Sequence, residues 1–272
     1  MYEKVMESVD YIRRKIDRNP QVAVILGSGL GNLVDIMENK EYISYEDIPN
    51  FPRSTVAGHE GKLVFGNLRG IEVLAMQGRF HYYEGYSMKE VTYPVYTMKK
   101  LGINKLIITN ACGGINTSFS PGTLMLIKDF INLMGDNPLI GHNDERFGPR
   151  FPDMSEPFKL EWIEKAKRIA AQLGIGYGEG IYAGFMGPYY ETAAEIVSIG
   201  RMGADAVGMS TVPETIAANY LGMEVLGIAC ITNMATGIQK VKHSHERVVE
   251  TAQKASSNLC KWVEGIIESM DL

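Results

Sequence analysis

The 272-residue chain has only 3 cysteines and 2 tryptophans, no large excess of either charge, and no apolar run long enough to span a bilayer. Each shortage excludes something. Cys112, Cys230 and Cys260 are widely spaced and odd in number. Neither a disulfide framework nor a zinc site is expected, and free thiols point to a reducing compartment. Cys112 and Cys230 lie in apolar, strand-like segments and read as small buried hydrophobes. The formal net charge of -5 leaves no basic footprint for nucleic acid, so any anion site must be local. Met1-Tyr2-Glu3-Lys4 opens a charged amphipathic helix without the apolar core of a signal peptide, which makes the cytoplasm the expected location. No repeat, low-complexity tract or Pro/Gly/Ser linker divides the chain, so a single domain over residues 1–272 is expected.

What is present alternates. With 45% hydrophobic and 22% charged residues, the chain suits a globular protein with a sizeable core. The pattern predicts helices over about residues 2–17, 88–101, 159–173, 192–202, 213–221 and 246–269. Strands are expected at Val22–Leu26, about 63–68 and 71–76, Lys105–Thr109, and about 123–132, 179–186, 204–207 and 223–231. Interleaved strands and helices imply an α/β fold with a mixed or mostly parallel sheet covered by helices. The long loop Gly135 to Pro157 is rich in polar residues and long enough to suspect function.

The densest chemistry lies in Gln77-Gly78-Arg79-Phe80-His81-Tyr82-Tyr83-Glu84-Gly85. Residues two apart in an extended segment share a face, so Arg79, His81 and Tyr83 converge while Phe80 and Tyr82 turn away. A guanidinium fork beside an imidazole suits an oxyanion such as phosphate, although a charged strand end has the same composition. Gly27-Ser28-Gly29-Leu30-Gly31 joins a buried strand to an expected helix, where backbone amides attract anions. It lacks the Gly-Lys-Ser/Thr ending of a Walker loop, and Asn32 replaces the last glycine of the dinucleotide pattern. A tight structural turn remains open there, with Ser28 as an added hydroxyl donor. A second strand end, Thr109-Asn110-Ala111-Cys112-Gly113-Gly114, offers the Ala111 amide in the same way.

Thr211-Val212-Pro213-Glu214 and Thr192-Ala193-Ala194-Glu195 both fit the capping box. The first leaves Ser210 either to donate to an anion or to help cap the helix. The second puts Tyr190 and Glu191 before a helix start, whose dipole favours an ionised carboxylate. Of the 5 histidines, His81 alone has evident company. His59 reads as an exposed loop residue, and His142 has no evident role. His243 and His245 lack the spacing and acidic neighbours of a metal pair, so no metal is expected.

Taken together, these segments resemble the trimeric class of purine nucleoside phosphorylases. The matching pieces are Gly27 to Gly31, Gly78 to Gly85, Thr109 to Gly114, Glu145-Arg146-Phe147-Gly148 with Arg150-Phe151-Pro152, Gly187-Pro188 with Tyr190-Glu191-Thr192, Val207 to Glu214, and Thr232-Asn233. They run in the family's order across nearly the whole chain. Cys112 and Tyr190 depart from the residues common there, Ala and Phe, and Met234 to Val241 is less recognisable.

The resemblance implies a partly barrel-like mixed sheet of the phosphorylase/hydrolase kind. It also implies cleavage of inosine or guanosine (or their deoxy forms) by inorganic phosphate, a co-substrate, with no cofactor. Ser28, His59, Arg79, His81, the Ala111 amide and Ser210 would hold phosphate. Tyr83, Met209 and His245 would contact ribose, with His243 competing for the 5′-hydroxyl. Phe151 would reach a neighbouring subunit's site in a homotrimer. Tyr190, Glu191, Val207, Gly208 and Asn233 would form the base pocket, with His81, Glu191 and Asn233 catalytic.

Asn233 would donate toward N7 and Glu191 would accept from N1–H, an arrangement that favours 6-oxopurines. Adenosine would leave an ionised Glu191 unpaired, at a cost of about 1–3 kcal/mol or more. Methylthioadenosine phosphorylase, typically with Asp in place of Asn233, and a nonenzymatic nucleoside binder are the competing readings. A nicotinamide oxidoreductase would leave Arg79 and His81 idle, and the aspartate-rich N-terminal cluster of a calcium-type nucleoside hydrolase is missing.

Overall fold

Buried aliphatic runs and amphipathic stretches alternate along the chain and fold into an α/β architecture around one mixed sheet. The computed structural model describes residues 1–55 and 60–270. Its strands are β1 (Val22–Leu26), β2 (Glu38–Ser44), β3 (Lys62–Leu68), β4 (Ile71–Gln77), β5 (Lys105–Gly114), β6 (Leu124–Asn132), β7 (Tyr177–Gly184), β8 (Ala206–Gly208) and β9 (Glu224–Met234). Its helices are α1 (Tyr2–Lys15), α2 (Met88–Val91), α3 (Tyr93–Lys100), α4 (Leu160–Leu173), α5 (Ala193–Arg201), α6 (Val212–Tyr220) and α7 (His245–Glu268). Among the described residues no helix is long and apolar enough to cross a membrane.

The sheet runs β2-β3-β4-β1-β5-β8-β7-β6-β9, and a further pairing of β5 with β9 closes the last five strands into a ring. That ring is the barrel-like part, and β1 to β4 extend from it as an open wing. β5 is shared by both. β1 pairs parallel with its first half, β9 runs parallel along its length, and β8 meets its end at Gly113 and Gly114. Because β4 is also parallel to β1, the carboxyl ends of β4, β1, β5 and β9 open on one side. Ligands of α/β sheets bind at such carboxyl ends.

Strands buried on both faces need continuous apolar sequence. Val22 to Leu26 and Leu106 to Ile108 supply it, and all are buried. Amphipathic helices cover the sheet. On α7, Ala252, Leu259, Trp262, Val263 and Ile266 share the buried stripe. The fully buried Trp262 donates its indole N–H to the Ala166 carbonyl of α4 at 2.8 Å.

All but one of the expected elements are found, and four differences stand out. The helix expected over 88–101 is two helices meeting at Thr92. Pro94 has no N–H to continue the ladder, and the Thr92 hydroxyl takes the Met88 carbonyl at 2.8 Å. After Gly27 to Gly31 comes only a 3₁₀ turn, Gly31–Ile36, in place of the expected helix. The strand Lys105–Thr109 continues to Gly114, so the second glycine segment is ladder and not turn. β2 had no apolar signature because it is an edge strand whose first five residues are exposed.

Candidate active site

Below the carboxyl ends of the parallel strands lies a cavity of about 770 Å³, counting its open mouth. One group of side chains is organised around Arg79, whose side chain is only 2% exposed. β4 ends at Gln77, and Gly78, with φ of 103°, turns the chain so that Arg79 points inward. Nη2 donates to the Thr109 carbonyl at 2.6 Å, and Nη1 reaches the Thr211 hydroxyl at 3.4 Å. Nε faces Glu214 Oε1 at 3.7 Å. Thr109 Oγ1 in turn accepts from the Gly27 N–H at 3.2 Å and donates to the Ile25 carbonyl at 3.0 Å. The first glycine turn, β5 and the arginine are thereby held as one unit.

Thr211 is the pivot of this group. Its φ of 74° is in the left-handed region, costly for a β-branched residue and tolerated where surroundings enforce it. The capping box expected from Thr211 and Glu214 is not formed, because that backbone turns the hydroxyl away from the helix. The hydroxyl accepts from Asn110 Nδ2 at 2.8 Å and lies 3.3 Å from Ser210 Oγ. Glu214, released from capping, becomes the buried counter-charge of Arg79. The other expected box does form: Thr192 Oγ1 accepts from Glu195 N–H, and the Glu195 carboxylate accepts from Thr192 N–H.

The alternation expected after Gln77 survives the end of the strand. Phe80 is buried in the core, while Arg79, His81 and Tyr83 all line the cavity. The rings of His81 and Tyr83 stack at 4.7 Å. His81 Nδ1 lies 3.1 Å from Glu84 Oε1, three residues on. Burial pushes the Glu84 carboxyl up, yet hydrogen bonds from His81 and Thr55 bring it down to about 2. Burial also lowers His81 below its ordinary 6.5, more than Glu84 raises it. The ring is therefore neutral at pH 7, with its proton on Nδ1 donating to a carboxylate. Burial pushes the Tyr83 phenol up to about 12, which keeps it a donor.

A second group contains Tyr190, Glu191, Thr232, Asn233 and His243. Tyr190 and His243 stack at 4.8 Å. Asn233 Nδ2 lies 3.2 Å from His243 Nδ1, and Thr232 Oγ1 donates to Asn233 Oδ1 at 3.0 Å. Glu191 is 5% exposed. Burial raises its carboxyl above the ordinary 4.5, and its own backbone N–H offsets this only in part. Burial thus works against the pull that the helix start was expected to exert on the ionised form.

The cavity brings together thirteen expected residues: Ser28, Arg79, His81, Tyr83, Ala111, Tyr190, Glu191, Val207, Gly208, Met209, Ser210, Asn233 and His245. His59 lies outside the described residues. Phe151 does not line this cavity and is 86% exposed. Sequence reasoning missed Glu84, although the spacing from His81 carries the signal. It gave Glu214 a capping role, and nothing local marks Asn110 or Thr232. Among the described residues no group of three His, Cys, Asp or Glu is placed to hold a metal ion.

Known proteins resemble this chain over nearly its whole length. The model of the phosphorylase superfamily matches residues 21–268. A curated relative, purine nucleoside phosphorylase 1 of Geobacillus stearothermophilus, is 53% identical over 98% of this chain and 97% of its own length. A solved schistosome purine nucleoside phosphorylase in complex with hypoxanthine superposes with a TM-score of 0.95 at 39% identity, covering 99% of this chain and 98% of that one. A Schistosoma mansoni purine nucleoside phosphorylase in complex with adenosine gives the same TM-score, identity and coverage. The chain belongs to the purine nucleoside phosphorylase family within that superfamily.

Two outcomes follow from the buried carboxyls. Glu214→Gln removes the buried carboxylate that faces Arg79 Nε, so urea unfolding should show a loss of about 3 kcal/mol. Replacing both by apolar residues of similar size should recover most of it. Glu191 has a raised value in the folded chain, so its ionisation opposes folding once pH exceeds its unfolded value, near 4.5. Glu191→Gln should match the parent's melting temperature at pH 4 and exceed it by pH 8. A constant difference across that range would contradict the buried-charge account.

Proposed function

We propose that this chain cleaves the N-glycosidic bond of 6-oxopurine nucleosides with inorganic phosphate, releasing the base and (deoxy)ribose 1-phosphate. Phosphorolysis of purine nucleosides follows from membership of the family. The carrying observation for the finer reading is one cavity holding two chemistries. Arg79, His81, Ser28 and Ser210 form a set suited to an oxyanion, and Glu191 with Asn233 presents an acceptor beside an amide. Arg79 is the only Lys or Arg lining it among the described residues, and its fork matches phosphate oxygens. The Ala111 N–H adds a backbone donor. With its proton on Nδ1, His81 has a lone pair at Nε2 that accepts from the P–OH of HPO₄²⁻.

Breaking the C1′–N9 bond sends the electron pair to the purine and leaves positive charge on the sugar. A phosphate oxygen attacks C1′, and the proton of HPO₄²⁻ balances the equation by ending on the base. No cofactor enters. Asn233 stabilises charge gathering at N7 and Glu191 accepts from N1–H; one such preorganised donor is worth roughly 10²–10³ in rate. Tyr83 and Met209 would contact ribose. Both ring nitrogens of His243 are engaged within the protein, which favours His245, at the exposed start of α7, for the 5′-hydroxyl.

The 86% exposure of Phe151 fits a side chain completing a neighbour's pocket in a homotrimer. Three buried, unpaired cysteines fit a reducing cytoplasm.

Base release from inosine should require phosphate; release without it would indicate hydrolysis and overturn the reading. Asn233→Asp should move preference toward adenosine, and retention of full inosine selectivity would sink the base-recognition account. Phe151→Ala should lower kcat/KM about tenfold or more while sedimentation shows an intact trimer. An active monomer would refute the shared pocket.

A further inference from the structure

The segment between β9 and α7 closes over the second group of side chains, and its hydrogen bonds fix more than their number suggests. The Gln239 amide is oriented unambiguously: Oε1 accepts from the Met234 N–H at 3.1 Å, so Nε2 is the donor end. Nε2 donates to the Val241 carbonyl at 2.9 Å and faces His243 Nδ1 at 3.1 Å. A donor facing Nδ1 means that this nitrogen holds a lone pair. The ring proton therefore sits on Nε2 and donates to Thr236 Oγ1 at 3.0 Å. Burial lowers the His243 titration below 6.5, in keeping with the neutral ring.

The same lone pair receives Asn233 Nδ2 at 3.2 Å, while Thr232 Oγ1 donates to the other end of that amide at 3.0 Å. The Asn233 amide is thus contacted at both ends, the Thr232 proton being shared with the Cys112 carbonyl and the Nδ1 lone pair with Gln239. Its second N–H has the longest contact of this set, 3.3 Å to the Met234 carbonyl, and is the one a purine nitrogen would take. We propose that His243 is a positioning residue: its Nδ1, fixed as an acceptor by Gln239, orients the Asn233 amide so that it donates to purine N7. This rests on the N7 role given to Asn233 above. The stack on Tyr190 holds the imidazole over the base pocket.

The test compares His243→Phe, which keeps a stackable ring without an acceptor, with His243→Asn, whose Oδ1 stands near the position of Nδ1. On inosine, His243→Phe should lower kcat about tenfold, the scale of one hydrogen bond, with KM changed less than about twofold. His243→Asn should recover most of that loss. On 7-methylguanosine, where N7 carries a methyl group and needs no donor, the loss should be under about twofold. With Asn233→Ala already present, His243→Phe should add nothing.

Equal losses on both nucleosides would make His243 merely structural and overturn the proposal. Unchanged or higher kcat on inosine would overturn it too, by making the contact dispensable or obstructive. Asn233→Ala at full rate on inosine would instead sink the N7 reading, and the positioning role with it. Asn233→Ala impaired while His243→Phe is not would sink the positioning role alone.

Discussion

A guanidinium almost wholly removed from water must be surrounded by acceptors or it unfolds the site that holds it. Arg79 meets this demand with the Thr109 carbonyl, the Thr211 hydroxyl and the Glu214 carboxylate. Those partners come from β5, the turn after β8, and α6. One buried charge therefore ties together the strand shared by the ring and the wing and the helix beyond it. Thr109 passes the tie on to the first glycine turn. The unusual backbone at Thr211 is the cost of this arrangement: it gives up a helix cap and gains a hydroxyl and a carboxylate directed at the arginine.

The closed ring of β5 to β9 fixes the opposite side of the cavity, around Asn233. β5 and β9 run parallel, with a register irregularity at Cys112 and Gly113. Thr232 and Asn233 sit at that irregularity, where the Thr232 hydroxyl reaches both the Cys112 carbonyl and Asn233 Oδ1. The amide is thus set from rigid strand on one side and from the His243 segment on the other. Rigid placement of this kind is what allows a dipole to meet developing charge without reorganising.

Much of this was legible in the sequence, for physical reasons. The period-two pattern of Arg79, His81 and Tyr83 outlived the strand because Phe80, in the core, anchors the same backbone. The Thr192 box was readable because all its partners lie within four residues. The Thr211 box misled because its partners Arg79 and Asn110 are 132 and 101 residues away in sequence. The edge strand β2 was hidden, since only Ile43 of its seven residues is buried. The reluctance of Glu191 to ionise was equally invisible: the helix start is local, whereas its burial is a property of the assembled pocket.

That reluctance bears on what the pocket can distinguish. A carboxylate accepts from a base edge, whereas a carboxylic acid can also donate to one. Burial raises the Glu191 carboxyl above its ordinary value, so it holds its proton to higher pH than an exposed glutamate does. The same buried oxygens can take a hydrogen bond or give one, and ambient acidity decides which.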